Sequence, residues 1–465
     1  MNVLILSTIW GIVMMFSGVV LKKNGLATYI AIAGMLVLLL GNIGDVSNVV
    51  ITHSSFNNML SFTPFNQLFI SIILVATLFY FLLSGRDIEA VGKNGSDYYA
   101  LIFFVLTGVC LSAAYNNMLM LFLGIEVMSI PLYILTGADK KNLKSNEASL
   151  KYFLMGSFST GIMLLGITFI YGDTGSFGLV PPPLPFGMLM SHLTVLSSVG
   201  IILLMVALGF KVSAAPFHFC TPDVYDGAPT VFTSFMATIV KVGAFVAFYR
   251  FFAQGYSSME ASWGTAMAVV IALTLLIGNL TAVFQQSAKR MMSYSSIAQA
   301  GFILIAIYTH NELGQNGFLI YTASYCLATI GVFALLSKMS DHSFEGFNGL
   351  AKKEPLVALT TTICLLSLAG IPLTGGFLGK YFMLASLVKM GGLLQFYLAI
   401  FAVLCAAVSV YYYFRLIQAM YFKEGEPVMA PISKGLKIGL VGLVVLIILL
   451  GTVPYDLLLN WQLFF

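Results

Sequence analysis

The sequence predicts an all-α, polytopic membrane protein with about fourteen transmembrane helices. Three observations carry that prediction. Of 465 residues, 59% are hydrophobic and only 9% charged, against about 25% charged in a soluble domain. Apolar runs of about 20 residues, long enough to cross a ~30 Å hydrocarbon core, recur from end to end. Lysine and arginine collect in every second loop, the asymmetry that orients such chains.

Taken in order, the candidate spans cover 3–21, 27–47, 65–84, 97–114, 116–137, 147–171, 193–219, 229–252, 262–284, 291–309, 316–338, 356–390, 394–421 and 436–457. The first lacks a basic n-region and reads as a span rather than a cleaved signal. Loops after odd-numbered spans hold the basic residues, among them Lys22, Lys23, Arg86, Lys93, Lys140, Lys141, Lys144, Lys289, Arg290, Lys352 and Lys353. Loops after even-numbered spans carry only Arg250 and Lys389. The odd loops are therefore expected on the cytoplasmic side of a cell inner membrane, with both termini on the other side. The loop after span seven differs, being acidic (Asp223, Asp226). A Pro-rich stretch from Val180 reads as a stiff connector.

Other function classes find little support. The net charge of +4 comes without a dense basic run, which argues against nucleic acid as a partner. The five cysteines are scattered, with no CxxC and no Cys/His cluster for iron–sulfur, zinc or haem. There is no Rossmann glycine fingerprint and no P-loop. No cofactor or metal is expected in this chain.

Charges inside the spans stand out against this background. Glu126 is the one acidic residue well inside a span, about ten residues from either end, or roughly 15 Å at the helical rise. Lys211 in span seven and Lys241 in span eight are also central, and Lys380 lies in span twelve. Each such charge costs at least ~2.5–3.5 kcal/mol on insertion scales unless paired or hydrated. Burial favours the neutral form of such groups, which brings proton exchange within reach near neutral pH. His218, near the cytoplasmic end of span seven, is a candidate proton uptake point or a helix-end residue. His53, His192, His310 and His342 fall in loops. Arg415 is close enough to Lys423 to reach the cytoplasmic surface.

Proline placement adds to the pattern. Pro131 follows Glu126 by five residues, and Pro216 follows Lys211 by five. Each frees the carbonyl four residues back, a feature tolerated where a helix lines a hydrated cavity. Span twelve is too long for one straight crossing, and Gly370-Ile-Pro-Leu-Thr-Gly-Gly interrupts it before Lys380. Broken spans seven and twelve lie five apart. Because five is odd, residues 97–252 and 262–421 read as two inverted five-helix repeats. Three helices (1–96) precede them and one (436–457) follows, within a single membrane domain 1–465.

Several long motifs carry a resemblance. They are Gly124-Ile-Glu-Val-Met-Ser-Ile-Pro-Leu-Tyr, Phe210-Lys-Val-Ser-Ala-Ala-Pro-Phe-His-Phe-Cys-Thr-Pro-Asp, Lys289-Arg-Met-Met-Ser-Tyr-Ser-Ser-Ile-Ala-Gln-Ala-Gly and Gly370-Ile-Pro-Leu-Thr-Gly-Gly-Phe-Leu-Gly-Lys. They closely resemble the antiporter-like membrane subunits of bacterial respiratory complex I, the proton-translocating NADH:quinone oxidoreductase, and within them the N type. The family is also similar to subunits of multisubunit sodium/proton antiporters, which is the alternative reading. The resemblance covers nearly the whole chain. It implies a translocase subunit in which Glu126, Lys211, Lys241 and Lys380 carry protons across the membrane. It implies partners among the other membrane subunits of complex I, including sister antiporter-like ones. NAD, FMN, iron–sulfur clusters and quinone then belong to partner subunits. The sister M type tends to carry glutamate at the position of Lys380. One departure is Gln299, where relatives often have histidine; an amide side chain does not titrate.

Overall fold

The computed structural model of the protein describes residues 1–20, 25–46, 58–92, 95–180 and 195–453. Lys22, Lys23, Lys93, His53, His192, the prolines after Val180 and the end of span fourteen lie outside the described residues. The fold is helical throughout, with isolated bridges but no strand among the described residues. The main helices are α1 (Asn2–Val20), α2 (Leu26–Val46), α3 (Pro64–Val91), α4 (Gly95–Ala114), α5 (Met118–Thr136), α6 (Leu143–Thr174), α7 (Val195–Lys211) and α8 (Cys220–Gly227). They continue as α9 (Thr230–Gly255), α10 (Glu260–Val283), α11 (Ala288–Thr309), α12 (Glu312–Leu336), α13 (Pro355–Ala369), α14 (Gly375–Met390), α15 (Leu393–Phe422) and α16 (Lys434–Thr452).

Twelve helices among the described residues are long and apolar enough to cross a membrane. The expected count of fourteen would need each interrupted pair, α7 with α8 and α13 with α14, to cross as one further span; length and apolar composition alone give twelve. Local sequence explains many helix starts. Thr63 caps α3 with Pro64 at its first position, and Asn117, Asn142, Asn311, Thr374 and Ser433 cap α5, α6, α12, α14 and α16. Each side chain accepts a hydrogen bond from an otherwise orphaned backbone N–H of the first turn.

The layers follow from what each helix shows its neighbours. Residues of α9 are enclosed along the whole apolar window, and those of α11 and α12 nearly so. These three form the centre. Helices α1, α2, α15 and α16 bury well under half of theirs and turn large apolar side chains such as Phe16, Leu40, Tyr397 and Ile438 outward, as lipid-facing helices do. Helix α9 packs against α3, α4, α5 and α12, and α11 against α10, α12, α14 and α8. Close approach is set by glycines. A Cβ on Gly379 would lie 2.6 Å from Tyr321 Cβ, and one on Gly376 would lie 1.9 Å from the Ser367 carbonyl.

The two interruptions share a cause. After Lys211 the chain turns through Ser213, which has φ 62°, and meets Pro216 through a cis peptide bond before α8 begins. After Ala369 it turns through Gly370 at φ 87° and Leu373 at φ 72° before Thr374 caps α14. Proline removes one donor, and a left-handed residue stops the helix. Pro131 has no such companion, and α5 runs unbroken through it. The expected interruption beside Glu126 is therefore limited to one missing backbone bond.

Candidate functional site

Glu126 sits on α5, half-buried, and its Oε1 accepts a hydrogen bond of 2.7 Å from the Thr160 hydroxyl of α6. Lys211 is the last residue of α7. Its Nζ donates to the Ser129 hydroxyl at 3.0 Å. Ser129 is one turn beyond Glu126 on α5, so the two charges face one region. They are not a direct ion pair. Within the 4.0 Å limit for an ion pair, the described residues give Glu126 no basic partner. Each charge meets a hydroxyl instead, Thr160 for Glu126 and Ser129 for Lys211, which projects from a helix end.

Lys241 lies on α9 and is 1% exposed. It follows directly on a π-helical turn, Met236–Val240. Such turns shift the side-chain register of a helix and often mark functional positions. Its Nζ donates to the Ser296 carbonyl at 2.7 Å and the Ser296 hydroxyl at 3.1 Å. Lys380 lies on α14 and is 5% exposed. It donates to the carbonyls of Leu368 at 2.7 Å and Ala369 at 3.2 Å, and sits 4.6 Å from the centre of the Phe302 ring. These carbonyls end α13, where the last turn leaves acceptors unpaired and the helix dipole is negative. The break in span twelve thus builds the seat of Lys380.

All three lysines are held by neutral oxygens. An ammonium offers three donors, and a neutral amine still offers two. A neutral seat therefore keeps its hydrogen bonds in either protonation state, whereas a carboxylate would hold the proton in place. The arrangement is suited to taking up and releasing protons.

Other expected residues fall differently. His218 is buried between α7 and α8 and stacks on Phe219 at 4.8 Å. Among the described residues, no hydrogen bond or ion pair ties it to Glu126 or Lys211. Arg250 is not in a loop. It is 3% exposed, begins a second π-helical turn at the end of α9, donates to the Ala113 carbonyl at 2.6 Å and lies over the Tyr115 ring. Lys289 belongs to the first turn of α11 and closes the end of α8 by donating to the carbonyls of Asp226 and Ala228. Lys389 is in the last turn of α14. Arg415 donates to the Gln285 carbonyl at 2.8 Å and lies over the Phe344 ring. The acidic turn is an anchor: Asp223 pairs with Lys151 at 3.2 Å and Arg290 at 3.3 Å, joining α6, α8 and α11.

Sequence reasoning missed Thr160, Ser129 and Ser296, the hydroxyl partners of the charges. It also missed a buried group around Gln299, Tyr321 and Tyr413.

Enclosed charges on interrupted or π-turned helices, within this many crossings, define an antiporter-like membrane subunit. The chain belongs to the family described as NADH:quinone oxidoreductase/Mrp antiporter, transmembrane, whose match covers residues 115–408. It is similar to an NADH-quinone oxidoreductase subunit N of Cytophaga hutchinsonii, with 38% identity over 99% of each chain. Its structure is similar to a chain of respiratory complex I from Thermus thermophilus, with TM-score 0.81, 31% identity and 97% of each chain covered. The Mrp complex of Dietzia sp. contains a chain of the same fold, with TM-score 0.83 over all of this chain and 95% of that one, at 20% identity.

Proposed function

We propose that this chain is the proton-carrying, N-type antiporter-like subunit of an NADH:quinone oxidoreductase. The observation that carries the reading is the trio of lysines on neutral seats, Lys241 and Lys380 buried and Lys211 half-buried, two of them at helix interruptions. Kinship to a named subunit N over almost the full length of both chains supports the assignment to that complex. A change at Glu126, arising in neighbouring subunits, alters the field at Lys211. Lys211 then passes its proton toward Lys241 and on to Lys380, which releases it to the non-cytoplasmic side. His218 lies near the cytoplasmic end of this route. The chain acts as a translocase, with NAD, FMN, iron–sulfur clusters and quinone held by partner subunits. The odd loops face the cytoplasm and both termini the other side. Residues 97–252 and 262–421 act as inverted halves. Lys211 closes the first half of its interrupted helix, whereas Lys380 lies in the second half of the other. The test is NADH-driven proton pumping alongside quinone reduction in Glu126→Gln, Lys211→Ala and Lys380→Ala. Each is expected to lower pumping; full pumping with unchanged reductase activity in all three would overturn the proposal.

A further inference from the structure

Lys241 and Lys380 lie on α9 and α14, and what stands between them is built on α11. Ser296 of α11 holds Lys241 through its carbonyl and hydroxyl. One turn further along the same face is Gln299, 0% exposed. Its Oε1 accepts from the Tyr321 hydroxyl of α12. Its Nε2 donates to the Tyr413 hydroxyl of α15 at 2.9 Å and to the Leu368 carbonyl of α13 at 3.0 Å. The Tyr413 hydroxyl in turn shares a hydrogen bond with Ser295 of α11. The Leu368 carbonyl is the one that Lys380 grips at 2.7 Å. Lysine and glutamine therefore occupy both lone pairs of a single oxygen.

The side-chain chemistry is specific. Gln299 uses both amide hydrogens and its carbonyl, all inside the protein. Tyr321 fixes which end of the amide is which, since a hydroxyl donor must meet the oxygen. A carboxylate in this place would offer no donor to Leu368 or Tyr413, and would bring a negative charge beside Lys380. An alkyl chain of the same length would strand the Tyr321 hydroxyl donor in a dry site and leave the Leu368 carbonyl to Lys380 alone. A neutral, two-donor group is what the surroundings require.

We propose that Gln299 is a positioning residue for Lys380. It holds the Leu368 carbonyl at the angle the lysine needs, and connects that seat through Tyr413 to the Ser295–Ser296 turn that carries Lys241. Gln299 takes no proton itself; it sets the geometry at which Lys380 receives and releases one. The inference rests on the proposed proton path.

The experiment uses the assembled oxidoreductase in inverted membrane vesicles and reads protons taken up per NADH oxidised, normalised to assembled complex. Gln299→Met removes every hydrogen bond of the amide at nearly equal volume. Its yield is expected to fall to that of Lys380→Ala. Tyr413→Phe removes one hydroxyl and keeps the ring, and its yield is expected to fall part of the way; it decides the matter if Gln299→Met fails to assemble. A purely structural amide would lower the amount of assembled complex and leave the yield per NADH unchanged. Native yield in the assembled variants, with a lowered yield in Lys380→Ala, would overturn the role of Gln299 and leave the path standing. Native yield in Lys380→Ala as well would overturn both.

Discussion

Gly370 offers a way to disturb the seat of Lys380 without touching the lysine. It ends α13 with φ 87°, and a Cβ built on it would lie 3.0 Å from Lys380 Cδ and 3.6 Å from Nζ. Gly370→Ala has two separable costs. The left-handed backbone costs an alanine about 1–2 kcal/mol. The new methyl also pushes the lysine stem by a few tenths of an ångström. The bond from Lys380 to Ala369 is already 3.2 Å, so that displacement carries it to the 3.5 Å limit. Losing a hydrogen bond from a charged donor costs about 1.5–3 kcal/mol, which lowers the population of the seated lysine at least about tenfold. Gly175 supplies the control. It caps α6 at φ 66° and a Cβ there meets nothing within 4 Å, so Gly175→Ala carries the backbone cost alone. Thermal unfolding of the assembled complex should show a loss in both variants, the larger in Gly370→Ala. Proton uptake per NADH should fall only in Gly370→Ala. Equal yields in the two would refute the claim that the carbonyl seat governs Lys380.

Two further expectations follow from the same geometry. Ser129→Ala removes the hydroxyl that receives Lys211, whereas Ser296→Ala leaves Lys241 its 2.7 Å carbonyl partner; pumping should therefore suffer more in Ser129→Ala, and the reverse order would count against the neutral-seat reading. In the loop after α12, burial first and the charge of Lys289 second push the His342 imidazole below its ordinary value of 6.5, outweighing the Leu336 carbonyl, Asp226 and Asp341. Since the folded loop binds that proton less readily than the unfolded chain, stability is full above that value and is lost as pH falls below it; the drop in thermal stability on acidification should be smaller in His342→Gln than in the native chain, and equal drops would refute the assignment.

How much of this was legible in the sequence depends on the kind of interaction. Spans were readable because the bilayer demands about 20 apolar residues, and the lysines because charge inside such a run has no other explanation. The interruption at Gly370 was readable from a glycine and proline inside an overlong run. Pro131 looked like the same signal and is not, because a proline alone removes one donor, while Ser213 and Gly370 add left-handed turns. The π-helical turn before Lys241 has no residue signature, since Met236–Val240 is ordinary apolar sequence. The hydroxyl partners were hidden for another reason. Serine and threonine are common inside spans and usually bond their own helix, as Ser129 also does at the Ile125 carbonyl. Only the fold, which brings Lys211 at the end of α7 to Ser129 on α5 and packs α9 against α11, singles out Ser129 and Ser296.

The same distinction explains why Glu126 and Lys211 make no direct ion pair. Two unit charges 4 Å apart at an effective dielectric of about 20 attract by about 4 kcal/mol. A lysine in such a contact would keep its proton, and the glutamate would stay charged. A hydrogen bond to a neutral acceptor is worth about 1.5–3 kcal/mol to the ammonium and part of that survives in the amine. The chain places its close ion pairs at helix ends instead: Asp223 with Lys151 and Arg290, Asp87 with Lys338 at the ends of α3 and α12, and Glu354 with Lys437. There they tie helices together. In the interior, Glu126 and Lys211 each meet a hydroxyl instead, and in the proposed path the carboxylate acts on the lysine across the Ser129 turn. Bringing the carboxylate into direct contact, rather than removing it, is then the change that should arrest the proposed path most completely.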